Sequence, residues 1–297
     1  MKPIEFIVHL PFSYWLVQDP QTAVFLKKPA SRDLEEYLAC ITAEISSMKE
    51  DFADCEVTAI RFQGGYLSLL EAEDLNRLLI TIHRSLSVRK DCPVNGIMFP
   101  GHLDMEKFSV YQNKKIKPLI FEVPSLSFKE CQRWKYPVTL QALDKTVYFL
   151  QSFREEEWGL VVPIGIPERT ENTWQYLLGQ IYHYHPKYLL FQSIHPDMTE
   201  DSAFDMVCLH LQEHGYQKGP GLCFSLSEEV PPILQMPTPE TEYLGAGIGA
   251  KSRIDGFRVH NTSDWETYKK QSFYYRRLIT EVYEEADLEK VPPGNAL

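Results

Sequence analysis

Apolar positions along the chain fall into two alternating patterns. Short β-branched or aromatic runs predict strands: IEFIVHL from Ile4, VTAIRF from Val57, NGIMF from Asn95, PLIFEV from Pro118, GLVVPIGI from Gly159, KYLLFQ from Lys187 and GLCFSL from Gly221. Between them, stretches such as SRDLEEYLACITAEISSM, AEDLNRLLITIHRSL, LQALDKTVYFLQSF, NTWQYLLGQIYHY and DSAFDMVCLHLQEHG carry apolar residues at helical spacing. The first of these opens on Ser31, placed as an N-cap, with Glu35 near the first turn. Strands buried on both faces and separated by helices predict an α/β fold with a parallel sheet and right-handed crossovers. That sheet is either a complete or partial (β/α) TIM-like barrel or an open doubly wound sheet. Both place ligands at the carboxyl ends of the strands, where the loops after Leu10, Phe62, Phe99, Val123 and Ile166 converge.

Composition narrows the class further. A chain of 297 residues with 44% apolar and 24% charged positions has ample length to bury a core. A net charge of -11, with no cluster of Lys and Arg among aromatics, argues against nucleic acid as a partner. No apolar run approaches a membrane span and the opening MKPIEFIVHLPF carries Glu5, so the expectation is a cytoplasmic protein with no membrane partner. The six cysteines, Cys40, Cys55, Cys92, Cys131, Cys208 and Cys223, stand far apart with no C-x-x-C pair and are expected to be buried free thiols.

Read in order, the strand-end sequences resemble the radical SAM enzymes of the oxygen-independent coproporphyrinogen III oxidase and haem chaperone group. The matching segments are VHLPF at Val8, IRFQGGYLSLL at Ile60, PIGIPERT at Pro163 and EYLGAGIGAKSRIDGFRVHNTSDWETY at Glu242. The resemblance implies a partial barrel of the radical SAM type over 1–270, including its C-terminal extension. A terminal helix and tail are expected over 271–297, without the extra C-terminal domain of longer relatives.

In that family the first strand runs into C-x-x-x-C-x-x-C, whose thiolates hold a four-iron cluster that takes S-adenosylmethionine. The three positions fall here on Ser13, Val17 and Pro20, and valine and proline side chains have no donor atom. The family's G-G-G-T-P motif reads Gln63, Gly64, Gly65, Tyr66, Leu67, so two glycines permit a close backbone approach while Tyr66 puts bulk in place of a small hydroxyl. Three further polar positions fall on or near Ile97, Pro124 and Val161. The His-Asn-x-x-Tyr-Trp stretch of the haem chaperone branch corresponds to ILQMPT from Ile233. Polar binding groups have thus become apolar or bulky, as expected when a site turns into core.

The expectation is a cluster-less, non-catalytic relative with no metal and no catalytic residues. Its vestigial pocket comprises Gly64, Gly65, Gly165, Arg169, Gly247 and Lys251, and its partner is a protein or a small anionic ligand such as a tetrapyrrole. Binding of S-adenosylmethionine or haem stays open. Arg169, Lys251, Arg253 and Arg258 are candidates to meet carboxylates, and His260 is a candidate axial ligand. Two alternatives stand beside this reading: an active enzyme or haem chaperone with an atypical cofactor site, and a structural partner of an active paralogue.

Other motifs have plainer explanations. HLQEH, from His210 to His214, fits a zinc peptidase pattern but reads as a helix end whose last histidine suits the dipole. His183 and His185 read as a wet helix end before Pro186, and Ser13 and Ser68 have no identifiable base. The glycines of GAGIGAKS, from Gly245, lack the phosphate-loop frame and read as close packing at a barrel strand. REEEW at Arg154 and EVYEEADLEK at Glu281 read as solvated helix faces, and QSFYYRR at Gln271 as part of a final helix whose aromatics dock on the barrel or meet a partner.

Overall fold

A computed structural model describes residues 1–12, 31–133, 136, 140–165, 169–193, 202–227, 229–235, 238 and 240–284. Six strands follow one another in the sheet in chain order: β1 (Lys2–His9), β2 (Cys55–Gln63), β3 (Val94–Met98), β4 (Leu119–Glu122), β5 (Trp158–Ile164) and β6 (Tyr188–Ser193). Each pairs parallel with the next. The order of these six never reverses, so they form no switch point of the kind a doubly wound sheet requires. The crossovers therefore stack their helices on one face, and the sheet curls as a partial (β/α) barrel that hydrogen bonds do not close. The helices are α1 (Ser31–Ser47), α2 (Ala72–Ser85), α3 (Met105–Asn113), α4 (Phe128–Arg133), α5 (Leu140–Ser152), α6 (Glu171–Tyr184) and α7 (Ser202–Glu213).

Both ends of the sheet turn antiparallel. On one side β7 (Gln217–Lys218) and β8 (Cys223–Ser225) follow β6, so GLCFSL is a short antiparallel strand rather than a seventh parallel one. The reason is local: α7 returns through the pair of residues in β7, which hairpins directly into β8 and leaves no crossover helix to restore direction. On the other side β9 (Tyr243–Ala246) lies parallel to β1, and β10 (Lys251–Ile254), β11 (Phe257–Asn261) and β12 (Ile279–Glu284) extend it as a meander. Helix α8 (Trp265–Gln271) joins β11 to β12.

Over 271–284 the expected terminal helix is corrected, and 285–297 lie outside the described residues. Helix α8 stops at Gln271, a 3₁₀ turn covers Tyr275–Arg277, and Glu281 lies on strand β12 rather than on a helix face. Of the aromatic run, Phe273 and Tyr274 are exposed whereas Tyr275 packs against Phe52 with ring centroids 5.6 Å apart. The REEEW stretch is likewise a turn, with Arg154 at φ 52°. Glu155 is buried there between Lys117 at 2.9 Å and the side chain of Gln112.

Strand alternation sorts the residues into two layers. One face of the sheet packs against the helices and supplies most of the core, including Phe6, Val8, Ile60, Phe62, Phe121 and Leu160. The other face lines the barrel interior. There register places Glu5, Ile7 and His9 opposite Ala59, Arg61 and Gln63, and carries on through Asn95 and Ile97, Ile120 and Glu122, Val161 and Pro163, to Leu190 and Gln192. A separate cluster of Ala59, Ile120, Val161, Tyr188, Ile233 and Leu234 packs on this face. Ile233 and Leu234 come from a 3₁₀ turn at Pro232–Leu234.

Candidate functional site

The mouth of the barrel is the end reached by the carboxyl termini of β1 to β6. Its floor is polar. The Arg61 guanidinium donates to both carboxylate oxygens of Glu5, at 2.7 and 3.0 Å, and also to the carbonyl of Ile233. Both side chains are largely buried, so the pair ties β1, β2 and the 3₁₀ plug together. Neither residue stands out in the sequence, because Arg61 sits inside an apolar strand and its partner lies 56 positions away. The region expected to match the haem chaperone stretch thus contributes Ile233 and Leu234 to the barrel interior.

Above this floor, β1 leaves the sheet past the glycines that follow β2. The amide of Leu10 donates to Gln63 at 2.6 Å and that of Tyr66 to Phe12 at 3.1 Å. A Cβ at Gly64 would overlap His9 Nε2, and one at Gly65 would overlap the Phe12 carbonyl and reach Leu10 O at 2.5 Å. The space these glycines leave is therefore taken by the chain itself. Gly64 also holds φ +83°, a conformation other residues rarely adopt. Tyr66 is fully buried edge-on to Phe99, with centroids 5.3 Å apart. Ser68 is used as an acceptor for the Phe99 amide at 2.8 Å, which accounts for a buried serine with no base.

Two titratable groups sit at the inward rim. His9 Nδ1 donates to the carbonyl of Ile248 at 2.6 Å, which leaves Nε2 as the lone-pair nitrogen beside Gly64. Burial, and to a lesser degree the Lys251 ammonium, hold its imidazole below the usual histidine range. Glu122 ends β4 on the inward face, and burial pushes its carboxyl up to about 7 while the Tyr66 hydroxyl pulls it back. Tyr136 closes over it by donating to the Glu122 carbonyl at 3.0 Å.

Behind β1 lies a second buried acid. Glu44 of α1 is fully buried and accepts from the Gly247 amide at 2.9 Å, from Asn261 Nδ2 at 2.8 Å and from the Tyr268 hydroxyl at 2.6 Å. Burial pushes it up to about 7 against these three donors. The Gly-rich segment thus closes on itself: Gly247 holds φ +117°, and a Cβ there would reach Tyr37 Oη at 2.5 Å and His9 O at 2.7 Å. The sequence signals Gly247, Asn261 and Tyr268 through the family resemblance, but not Glu44, which reads as an ordinary residue of an amphipathic helix.

The remaining expected residues divide. Arg169 donates to the carbonyls of Pro124 and Pro163 and lies 4.5 Å over Trp174, so it staples the ends of β4 and β5. Gly165 follows β5 with φ +77°. Lys251 is exposed at the start of β10, opposite His260. His260 Nδ1 lies 3.1 Å from Glu281. Ser13, Val17 and Pro20 lie outside the described residues.

Burial pushes every one of the six thiols up, Cys92 and Cys131 to about 11. Cys55 and Cys92 lie at the amino ends of β2 and β3, opposite the mouth, and among the described residues no group of three His, Cys, Asp or Glu is arranged to hold a metal. The HLQEH histidines also have other partners. His214 stacks on Tyr182 at 3.7 Å and meets the carbonyl of His210, while His210 lies 3.5 Å from Glu213. Among the described residues no helix is long and apolar enough to cross a membrane.

No family model and no curated protein matches the sequence. Solved structures do match. Coproporphyrinogen III oxidase (HemN) from Escherichia coli, a radical SAM enzyme, superposes with a TM-score of 0.80 at 14% identity, over 95% of this chain and 72% of that one. SuiB from Streptococcus suis, bound to S-adenosylmethionine, gives 0.44 at 12% identity over 72% and 45% of the two chains. Elp3 from the archaeon Methanocaldococcus infernus gives 0.42 at 10% identity over 71% and 50%. The chain thus has the radical SAM barrel fold, in the form seen in HemN. At this identity the likeness establishes the fold alone.

Proposed function

We propose that this chain is a cluster-less, non-catalytic relative of the oxygen-independent coproporphyrinogen III oxidases that serves as a binding or regulatory protein. The observation that carries this reading is the replacement of the three thiolate positions by Ser13, Val17 and Pro20, in a chain whose six cysteines stand far apart with no C-x-x-C pair. A serine, a valine and a proline cannot retain iron against solvent, so neither a cluster nor cleavage of S-adenosylmethionine has a place in this chain's chemistry.

The rim supports the same reading. Gly64 and Gly65 approach His9, Leu10 and Phe12 rather than leaving a cradle, Tyr66 occupies buried volume, and Arg169 is spent on two carbonyls. Lys251 lies exposed at the start of β10. A role in haem or porphyrin metabolism follows only from the likeness to HemN and belongs to this proposal.

The test is a calorimetric titration of purified protein with S-adenosylmethionine and, separately, with haem. The proposal expects no saturable binding of S-adenosylmethionine at concentrations up to about 1 mM, a limit of roughly -4 kcal/mol. Saturable micromolar binding would restore the alternative of an active enzyme with an atypical site. Tight binding of haem alone would make the protein a tetrapyrrole carrier on a non-catalytic scaffold.

A further inference from the structure

The β10–β11 hairpin breaks a rule of sheet construction. Cross-strand neighbours of like charge destabilise a β-ribbon, because their Cβ atoms sit only about 5 Å apart. Here Arg253 stands directly opposite Arg258, and on the next rung Lys251 stands opposite His260. Four basic side chains therefore share one face of a two-stranded ribbon, in a protein whose net charge is -11.

Register shows which face this is. Tyr243 pairs with both Glu5 and Arg253, so the basic face continues the barrel interior rather than the helix-packed side. One row runs Glu5, Tyr243, Arg253, Arg258, Tyr283, and the next brings His260 beside Glu281. Lys251 and Arg258 are exposed, while Arg253 and His260 are half-buried. The ribbon's opposite face is apolar, with Ile254, Phe257, Val259 and Val282 lining a cleft of about 440 Å³. The basic residues are thus sorted to the side that borders the mouth.

We infer that the Lys251, Arg253, Arg258 and His260 face of this hairpin is a binding platform for a small polyanion, carrying two or more carboxylate or phosphate groups. This inference deepens the proposed binding role and rests on it. Both rungs present donors suited to such groups, and the guanidinium fork matches a carboxylate or phosphate bidentately. The two arginines are also engaged within the protein, so an arriving anion exchanges with an intramolecular partner. Among the described residues, Glu281 lies beside His260 and the charge of Glu240 reaches Arg253. Burial and the Lys251 ammonium hold the His260 imidazole below the usual histidine range, so Lys251, Arg253 and Arg258 supply the positive charge of this face. A conflict of local rules of this kind is expected where a surface is kept for a ligand rather than for stability.

The experiment uses the full chain as purified, titrated with pyrophosphate and with citrate at low salt, followed by calorimetry and by thermal shift. Saturable binding of either probe is expected. It should weaken at least about tenfold in Arg253→Gln/Arg258→Gln and fall with added salt. Preference for pyrophosphate or citrate distinguishes a phosphate ligand from a carboxylate one. Lys251→Gln, at an exposed position, should also weaken binding and guards against misfolding of the double variant. Absence of saturable binding by both probes overturns the platform, as does binding that these variants leave unchanged. Either failure leaves the cluster-less reading standing, because that reading is tested on iron and S-adenosylmethionine.

Discussion

At the residue scale, the molecule is governed by a few buried charges whose partners are far away in sequence. Glu5 and Arg61 form a two-point pair inside the barrel. Removing one partner of such a pair leaves an uncompensated charge, which costs about 3–5 kcal/mol. Arg61→Met alone should lose that much in urea denaturation, while Glu5→Leu/Arg61→Met should recover most of it. If the double variant is no more stable than the single one, the pair is not what the floor depends on.

Glu44 makes a pH prediction. Its folded-state value, about 7, lies above the ordinary carboxyl value of an unfolded chain. The folded protein therefore binds more protons between about pH 4.5 and 7. Stability from this group is fully present below the unfolded value and is lost as pH rises through about 7. Glu44→Gln does not titrate, so the wild type should lose stability relative to this variant between about pH 5 and 8, by about 2–3 kcal/mol. A pH-independent difference between the two proteins would refute the assignment. Glu122, also raised to about 7, gives the same sign through the same window.

At the scale of elements, much of the fold is legible in the sequence and some is not, for identifiable reasons. Strands β1 to β6 announce themselves because both faces are buried and their runs are almost wholly apolar. The meander β10 to β12 escapes a reading of apolar runs because one of its faces carries Lys251, Arg253, Arg258 and His260, which interrupt the pattern that marks the other strands. Helix α3 lacks a strong stripe, although its N-cap Asp104, which accepts from the Lys107 amide at 2.8 Å, is readable in principle. The glycines of the mouth are legible as places of close approach, yet a sequence cannot say to what. At Gly64 and Gly65 the answer is the chain itself. Gly247 carries the same lesson: Gly247→Ala meets Tyr37 and His9 and strains a φ of +117°. It should cost about 2–4 kcal/mol, read as a lower midpoint in thermal or urea unfolding.

At the scale of the whole molecule, an unbroken chain order of six parallel strands makes one mouth, and the groups of chemical interest collect around it. The antiparallel meander widens its edge and supplies the basic ribbon. Glu44 locks that extension to α1 through Gly247, Asn261 and Tyr268. The barrel and its antiparallel extension are therefore tied together by one buried carboxylate and its three donors. The most direct measurement is iron and acid-labile sulfide in protein reconstituted anaerobically with ferrous iron and sulfide, with the visible spectrum and electron paramagnetic resonance recorded after reduction. A cluster-less chain gives no stoichiometric iron after desalting and no reduced-cluster signal. About four irons and four sulfides per chain, with a thiolate-to-iron charge-transfer band, would contradict it.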